Sequence, residues 1–280
     1  MDTHGRAGER ILILISLVMT GVTLSSLTHL PAWRVELSVL GSPLSLGVSG
    51  SALLTVALVA LTAVGVSEVV QAETGRAHLG VRYMSTFWIL PCLVTLAAAL
   101  AIPRQFDQVG DWLASVVLLT GLLAAVIVAE YGSVNLSGRF YRGARLGLNL
   151  ATYAAAFALY AAIYGLQVRS LVSGTVIFVV TFLLALELLR GTEEQLATTW
   201  LYAAIIALVC AEVTWALNRW GLSSLAGGGL LLIAFYTMSG VSQQYLAGRA
   251  TRRVVLEFAT IGLVGVVIVW LSSPWLTAGP

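Results

Sequence analysis

Lysine is missing from this sequence altogether, and all 15 basic residues are arginine. Schiff-base chemistry on retinal or a pyridoxal cofactor needs a lysine amine, so both are excluded. Histidine is nearly as scarce, at His4, His29 and His78. That is too few to supply a pair of intramembrane haem ligands or a His/carboxylate metal cluster. The only aspartates are Asp2, Asp107 and Asp111, which leaves no aspartate-rich pair for prenyl transfer. Cysteine occurs twice, as Cys92 and Cys210, each inside an apolar run on a different predicted helix. Such thiols behave as small buried hydrophobes, and no disulfide is expected. Two serine-glycine strings, at 47 to 50 and 239 to 240, have no histidine in any later helix to act as their base. A net charge of +2 is too small to point to nucleic acid. No cofactor, metal site or nucleic-acid partner is therefore expected.

Charge of either sign is scarce too. Charged residues make up 10% of the 280 and hydrophobic ones 59%, and the mean hydropathy is +0.93. A soluble domain needs more polar surface than that. An outer-membrane barrel would show short alternating segments, whereas these apolar runs are about 20 residues long, the length of a helical span. The runs predict helices near 11 to 29, 49 to 70, 84 to 102, 112 to 132, 147 to 168, 171 to 189, 199 to 218, 225 to 245 and 255 to 272. The expected fold is an all-α polytopic membrane protein with about nine transmembrane helices, a single transmembrane domain over 1–280. Only Gln167, Arg169 and Ser170 separate the fifth run from the sixth, so eight helices is the competing count. Arg6 and Arg10 ahead of the first run resemble a secretory signal, but no clear small-x-small cleavage site follows, and a retained anchor is expected.

Orientation follows from the arginines. With the N-terminus in the cytoplasm, the inner side carries Arg6, Arg10, Arg76, Arg82, Arg139, Arg142, Arg145, Arg190, Arg249, Arg252 and Arg253, and the outer side keeps Arg34, Arg104, Arg169 and Arg219. That bias is the positive-inside signature. Trp33, Trp112, Trp220, Trp270 and Trp275 fall near the outer ends in the same frame, where indole rings prefer the interface. The predicted topology is N-in/C-out, in the cell membrane of a bacterial or archaeal type (inner membrane).

Between the first two helices, Trp33, Val35, Leu37 and Val39 alternate with polar residues, and Leu44, Leu46 and Val48 do so again after Gly41, Ser42 and Pro43. Period-two patterning around such a turn predicts an external β-hairpin insertion at 30–48 with one apolar face. That face packs on its own bundle or, less commonly, docks a protein partner through 33–48. The string Gly75, Arg76, Gly80, Arg82 recurs as Gly138, Arg139, Gly143, Arg145, and Gly248 and Arg249 open a degenerate third copy. Glu68, Glu130, Glu187 and Gln243 sit ahead of these loops, one near the inner end of every even-numbered helix. The pattern predicts one lead helix followed by four helical hairpins of like orientation, although so biased a composition also produces such strings by chance.

Three groups of residues are candidates for function. Glu212 lies deep in the seventh helix, where an ionisable group costs about 2.5–3.5 kcal/mol. It suits either a proton-linked pathway or a structural lock against Arg219. The fifth helix carries Asn149, Tyr153, Tyr160 and Tyr164 on one side, which suits a ligand cleft or, more commonly, interhelical hydrogen bonds. Arg76, Arg82, Arg139, Arg145 and Arg249 suit anionic lipid headgroups at the cytoplasmic face, with Glu68, Glu130, Glu187 and Gln243 as an inner polar layer. Pro91, inside the third predicted helix, predicts a kink there. The leading expectation is a non-enzymatic structural or accessory subunit or a lipid-binding scaffold, with membrane lipids as partners. A small-solute or proton-linked transporter using Glu212 is the alternative, and a lipid-modifying enzyme is third.

Overall fold

The computed structural model describes residues 3–27, 32–39, 42–74, 87–101, 109–133, 141–166, 170–190 and 196–272. They form nine helices and one two-stranded sheet: α1 (Thr3–Leu27), β1 (Ala32–Val39), β2 (Ser42–Ser49), α2 (Gly50–Thr74), α3 (Ile89–Ala101), α4 (Val109–Ser133), α5 (Tyr141–Gly165), α6 (Ser170–Leu189), α7 (Leu196–Leu217), α8 (Ser224–Leu246) and α9 (Arg252–Ser272). Among the described residues seven helices, α1, α2 and α4 to α8, are long and apolar enough to cross a membrane, and α3 is apolar but shorter. This is a helical membrane protein. Water cannot satisfy backbone polar groups inside a bilayer, and a helix satisfies them all within itself. The fifth and sixth apolar runs are two helices, since α5 ends at Gly165 and α6 begins at Ser170.

The strands pair antiparallel, with Trp33 opposite Val48, Val35 opposite Leu46 and Leu37 opposite Leu44. This register sets the apolar positions of one strand across from those of the other, the arrangement that cross-strand pairing favours.

The chain divides into two compact units, Met1–Gly147 and Leu148–Pro280, with the boundary inside α5. In the first unit α1 and α2 run antiparallel and exchange side chains: Leu58 fills the space left by Gly21, and Leu14 that left by Gly65. Without a Cβ, each glycine lets a leucine reach the facing backbone, the way membrane helices gain contact when lipid removes any hydrophobic drive to associate. The core of this unit is α3, whose residues Ile89 to Thr95 and Ala97 to Ala99 are all buried. Thr62 and Thr95 share a hydrogen bond of 3.1 Å, and the Cys92 thiol donates to the Val59 carbonyl at 3.4 Å, so this cysteine is a small donor between α2 and α3. The helix starts at Ile89, which places Pro91 in its first turn. A proline there lacks only an N–H that would have no helical acceptor, so the expected kink is absent from the described helix.

In the second unit α6 and α7 are antiparallel and touch from end to end. Asn218 donates to Ser173 at 3.0 Å, the Trp215 indole fills the space at Gly174, and Phe182 meets Trp200 edge-on at 5.5 Å. Helix α8 lies antiparallel to α5, with Gly228 against Ala161 and Gly227 against Tyr164. On its other side it carries α9, where Phe258 covers Gly240, Thr237 meets Gly262 and Ile233 meets Gly265. Ser223 caps the start of α8 by accepting from Ala226 N–H. Its end is closed by a Schellman motif: Gly248 takes φ +66°, its N–H donates to Tyr245 O, and Arg249 N–H donates to Gln244 O.

Candidate functional site

The tyrosine stripe of α5 comes to three different helices. Tyr160 is fully buried, with its hydroxyl 2.8 Å from Thr181 Oγ1 on α6 and its ring edge-on to Phe235 at 6.1 Å. Tyr153 reaches Ser239 on α8 at 3.3 Å and packs beside Phe235 and Tyr236 at 5.8 and 5.5 Å. Tyr164 donates to the carbonyl of Leu217 at 2.8 Å, the last residue of α7, whose oxygen also accepts from Trp220 N–H in the turn that follows. Asn149 is half-buried one turn before Tyr153. The sequence displays this stripe as a period, but its partners do not stand out. Thr181 is a lone hydroxyl in an apolar run, and a main-chain carbonyl such as that of Leu217 has no sequence signal at all.

At the other end of the second unit, three of the polar residues near helix ends gather around the close of α6. Glu187 and Arg190 form an ion pair at 3.1 Å with side chains 1% and 4% exposed. Gln243 of α8 donates to the Leu188 carbonyl at 3.2 Å. Arg190 follows the last helical residue, where a cation is favoured by the partial negative charge of the helix end. Glu130, on α4 in the first unit, is fully buried, whereas Glu68 on α2 is exposed. Of the arginines, Arg76, Arg82 and Arg139 lie outside the described residues. Arg145 is half-buried on the first turns of α5, and Arg249 is exposed beyond the α8 cap. Glu257 on α9 is exposed and shares a shallow surface with Arg252, Arg253 and Thr260. No group of three or more His, Cys, Asp and Glu side chains fit to hold a metal ion occurs among the described residues.

Glu212 differs from these in lying within a groove between two packed helices. It is exposed in a groove of about 450 Å³ between α6 and α7, together with Leu171, Gly174, Phe178, Leu208 and Trp215. No hydrogen bond or ion pair joins it to another described residue, Arg219 included. Gly174 makes room for this wall of the groove: a Cβ there would stand 2.6 Å from the Trp215 indole nitrogen and 3.0 Å from its Cδ1, so the edge of the ring approaches α6 where a side chain would otherwise stand. Thr175, beside Glu212 in the groove, turns its hydroxyl back to Leu171 O at 2.8 Å and offers the carboxylate nothing. An acidic group in apolar surroundings costs about 2.5–3.5 kcal/mol on insertion scales, a cost that here no described neighbour offsets. The sequence indicates the depth of Glu212 but not its face, because facing depends on which side of α7 meets α6 and α8.

A family model described as "protein of unknown function (DUF5656)" matches residues 30–272, from the hairpin to the end of α9. No curated protein and no solved structure matches the chain.

Proposed function

For this chain, which belongs to the DUF5656 family, we propose a non-enzymatic role in the membrane, as a structural or accessory subunit or a lipid-binding scaffold. The observation that carries this reading is where the polar side chains of the second unit are spent. The hydroxyls of Tyr153, Tyr160 and Tyr164 each bond a neighbouring helix, and Gln243 bonds α6 at the opposite end. Groups that would have to face a substrate are holding helices together instead, the commoner use of such residues in membranes.

The topology in this proposal is nine crossings, N-in and C-out, in a bacterial or archaeal inner membrane, with the β1–β2 hairpin outside. A lead helix and four hairpins build it. The arginine bias supports it, as do the neighbouring pairs α6–α7 and α8–α9 and the approach of Gly132 to Ala144 at the α4–α5 turn. Membrane lipids meet the apolar surface, Arg249 is exposed to anionic headgroups, and positions 33–48 offer a strand face to a protein. Purification from native membranes in mild detergent, with the intact mass and every co-eluting molecule identified, tests the proposal. A stoichiometric protein or lipid companion is expected; a bare monomer counts against it.

A second reading, transport of a small solute or a proton, is favoured by one observation, the exposure of Glu212 in its groove. Solute uptake by proteoliposomes that vanishes in Glu212→Gln would put transport in place of the scaffold role. Uptake unchanged by that substitution would remove Glu212 from any such pathway.

A further inference from the structure

Down the outward side of α7 run Leu201, Ile205, Leu208, Glu212 and Trp215, all exposed, at alternating spacings of four and three. This is the seam on which one helix packs against another. Its only acid is Glu212, and the α6–α7 groove opens beside it. We propose that this seam and groove dock a transmembrane helix of a different protein, which brings a basic side chain to Glu212. The inference rests on the accessory-subunit reading and names the surface through which that role is exercised.

Depth selects a helix over a lipid. Glu212 is five residues short of Leu217, the end of α7, or about 7.5 Å along the axis. Lipid amines stay in the headgroup layer outside the hydrocarbon, whereas a side chain carried on a helix is delivered at any depth. Charge excludes a second copy of this chain. Two copies related by a twofold axis along this seam would set Glu212 against Glu212; of the described arginines of α5 to α9, Arg190, Arg219, Arg249, Arg252 and Arg253 lie at or beyond helix ends, and Arg145 lies four residues into α5, at the opposite end of that helix from Tyr164, which bonds Leu217. A single polar residue in an otherwise apolar seam fixes register and partner, which is the use this arrangement gives to Glu212. The groove supplies the other half of the recognition, since the Trp215 indole, its edge against Gly174, forms an apolar wall beside the acid.

The test uses the full chain in proteoliposomes and a synthetic leucine-alanine transmembrane helix that carries one arginine a turn and a half from one end. A second helix has leucine in place of that arginine. Energy transfer reads association. The arginine helix is expected to associate about fivefold more strongly than its leucine counterpart, and Glu212→Gln should reduce that preference to less than about twofold. Equal association of the two helices, or a preference that survives Glu212→Gln, overturns the proposal. A photo-crosslinker at Leu208 in native membranes gives the second readout, with Leu263 on α9 as its control. Capture at Leu208 of a membrane span bearing a basic residue, lost in Glu212→Gln while the melting temperature holds, supports the proposal. Capture of only lipid or of a second copy overturns it. Capture of a partner from Leu263 alone overturns the groove and leaves the accessory role standing, and a bare monomer removes both.

Discussion

Tyr160 and Thr181 form a buried hydroxyl pair, and the value of such a pair in a bilayer is small because an unfolded helix in lipid finds other partners. Tyr160→Phe is expected to lower stability by about 0.6 kcal/mol, with an upper limit near 1.7, read as a modest fall in melting temperature in detergent. Backbone proximity weighs more. At Gly228 an added Cβ would stand 2.7 Å from the Ala161 main chain, which cannot swing aside as a side chain can. Gly228→Ala should therefore force α5 and α8 apart and cost about 1–3 kcal/mol. At Gly121 nothing lies within 4 Å, so Gly121→Ala in the same assay should raise stability by about 0.5–1 kcal/mol through helix propensity alone. Equal effects at the two positions would show that α5 and α8 are not packed so closely. The tyrosines themselves are readable from sequence, because spacing puts them on one side of a helix. Gly228 is not: Gly227, Gly228 and Gly229 are equivalent in sequence, and only the facing helix distinguishes the one that meets a main chain.

At the scale of the element, the close of α6 depends on an ion pair removed from water. Such a pair gains little over an apolar replacement, but breaking it takes the ion-pair partner away from a buried charge. Glu187→Leu or Arg190→Met alone is expected to cost about 3–5 kcal/mol, and the double substitution should recover most of that loss. Thermal unfolding of the four proteins checks this, and additive losses would mean that Glu187 and Arg190 act independently. Most helices are legible in the sequence because an apolar run of about 20 residues has few other uses. The interruption at Gln167 to Ser170 is enough to end one helix and start the next. Helix α3 is less legible. Its apolar run reads as a full span from 84 to 102, but the described helix covers the 13 residues from Ile89 and is buried nearly all round. Hydropathy alone does not mark where a helix begins inside an apolar run, whereas Pro91 suits a first turn and not a helix interior.

For the molecule as a whole, direction is the property that most needs a measurement. Contacts within the second unit require α5 to α9 to alternate: Tyr160 meets Thr181, Gly174 meets Trp215, Tyr202 meets Tyr245 and Gly240 meets Phe258, each pair antiparallel neighbours. In the proposed topology these five alternating helices put the start of α5 and the end of α9 on opposite sides. The first unit is less constrained, since a 13-residue helix spans about 20 Å of a hydrocarbon layer of about 30 Å. If α3 turns back without crossing, the loop before α5 and everything after it change sides. Cysteine labelling separates these cases without engineering away the native thiols, because Cys92 and Cys210 are 3% and 0% exposed and an impermeant maleimide reaches neither. Ala77→Cys, Leu136→Cys and Ala278→Cys are each introduced alone. Nine crossings predict that intact cells label Ala278→Cys only, and that Ala77→Cys and Leu136→Cys react after permeabilisation. Eight crossings with α3 re-entrant predict the reverse at the last two sites, with Leu136→Cys outside and Ala278→Cys inside. That second result would also place Arg139 and Arg142 outside, against the electrostatic preference that retains arginine in the cytoplasm.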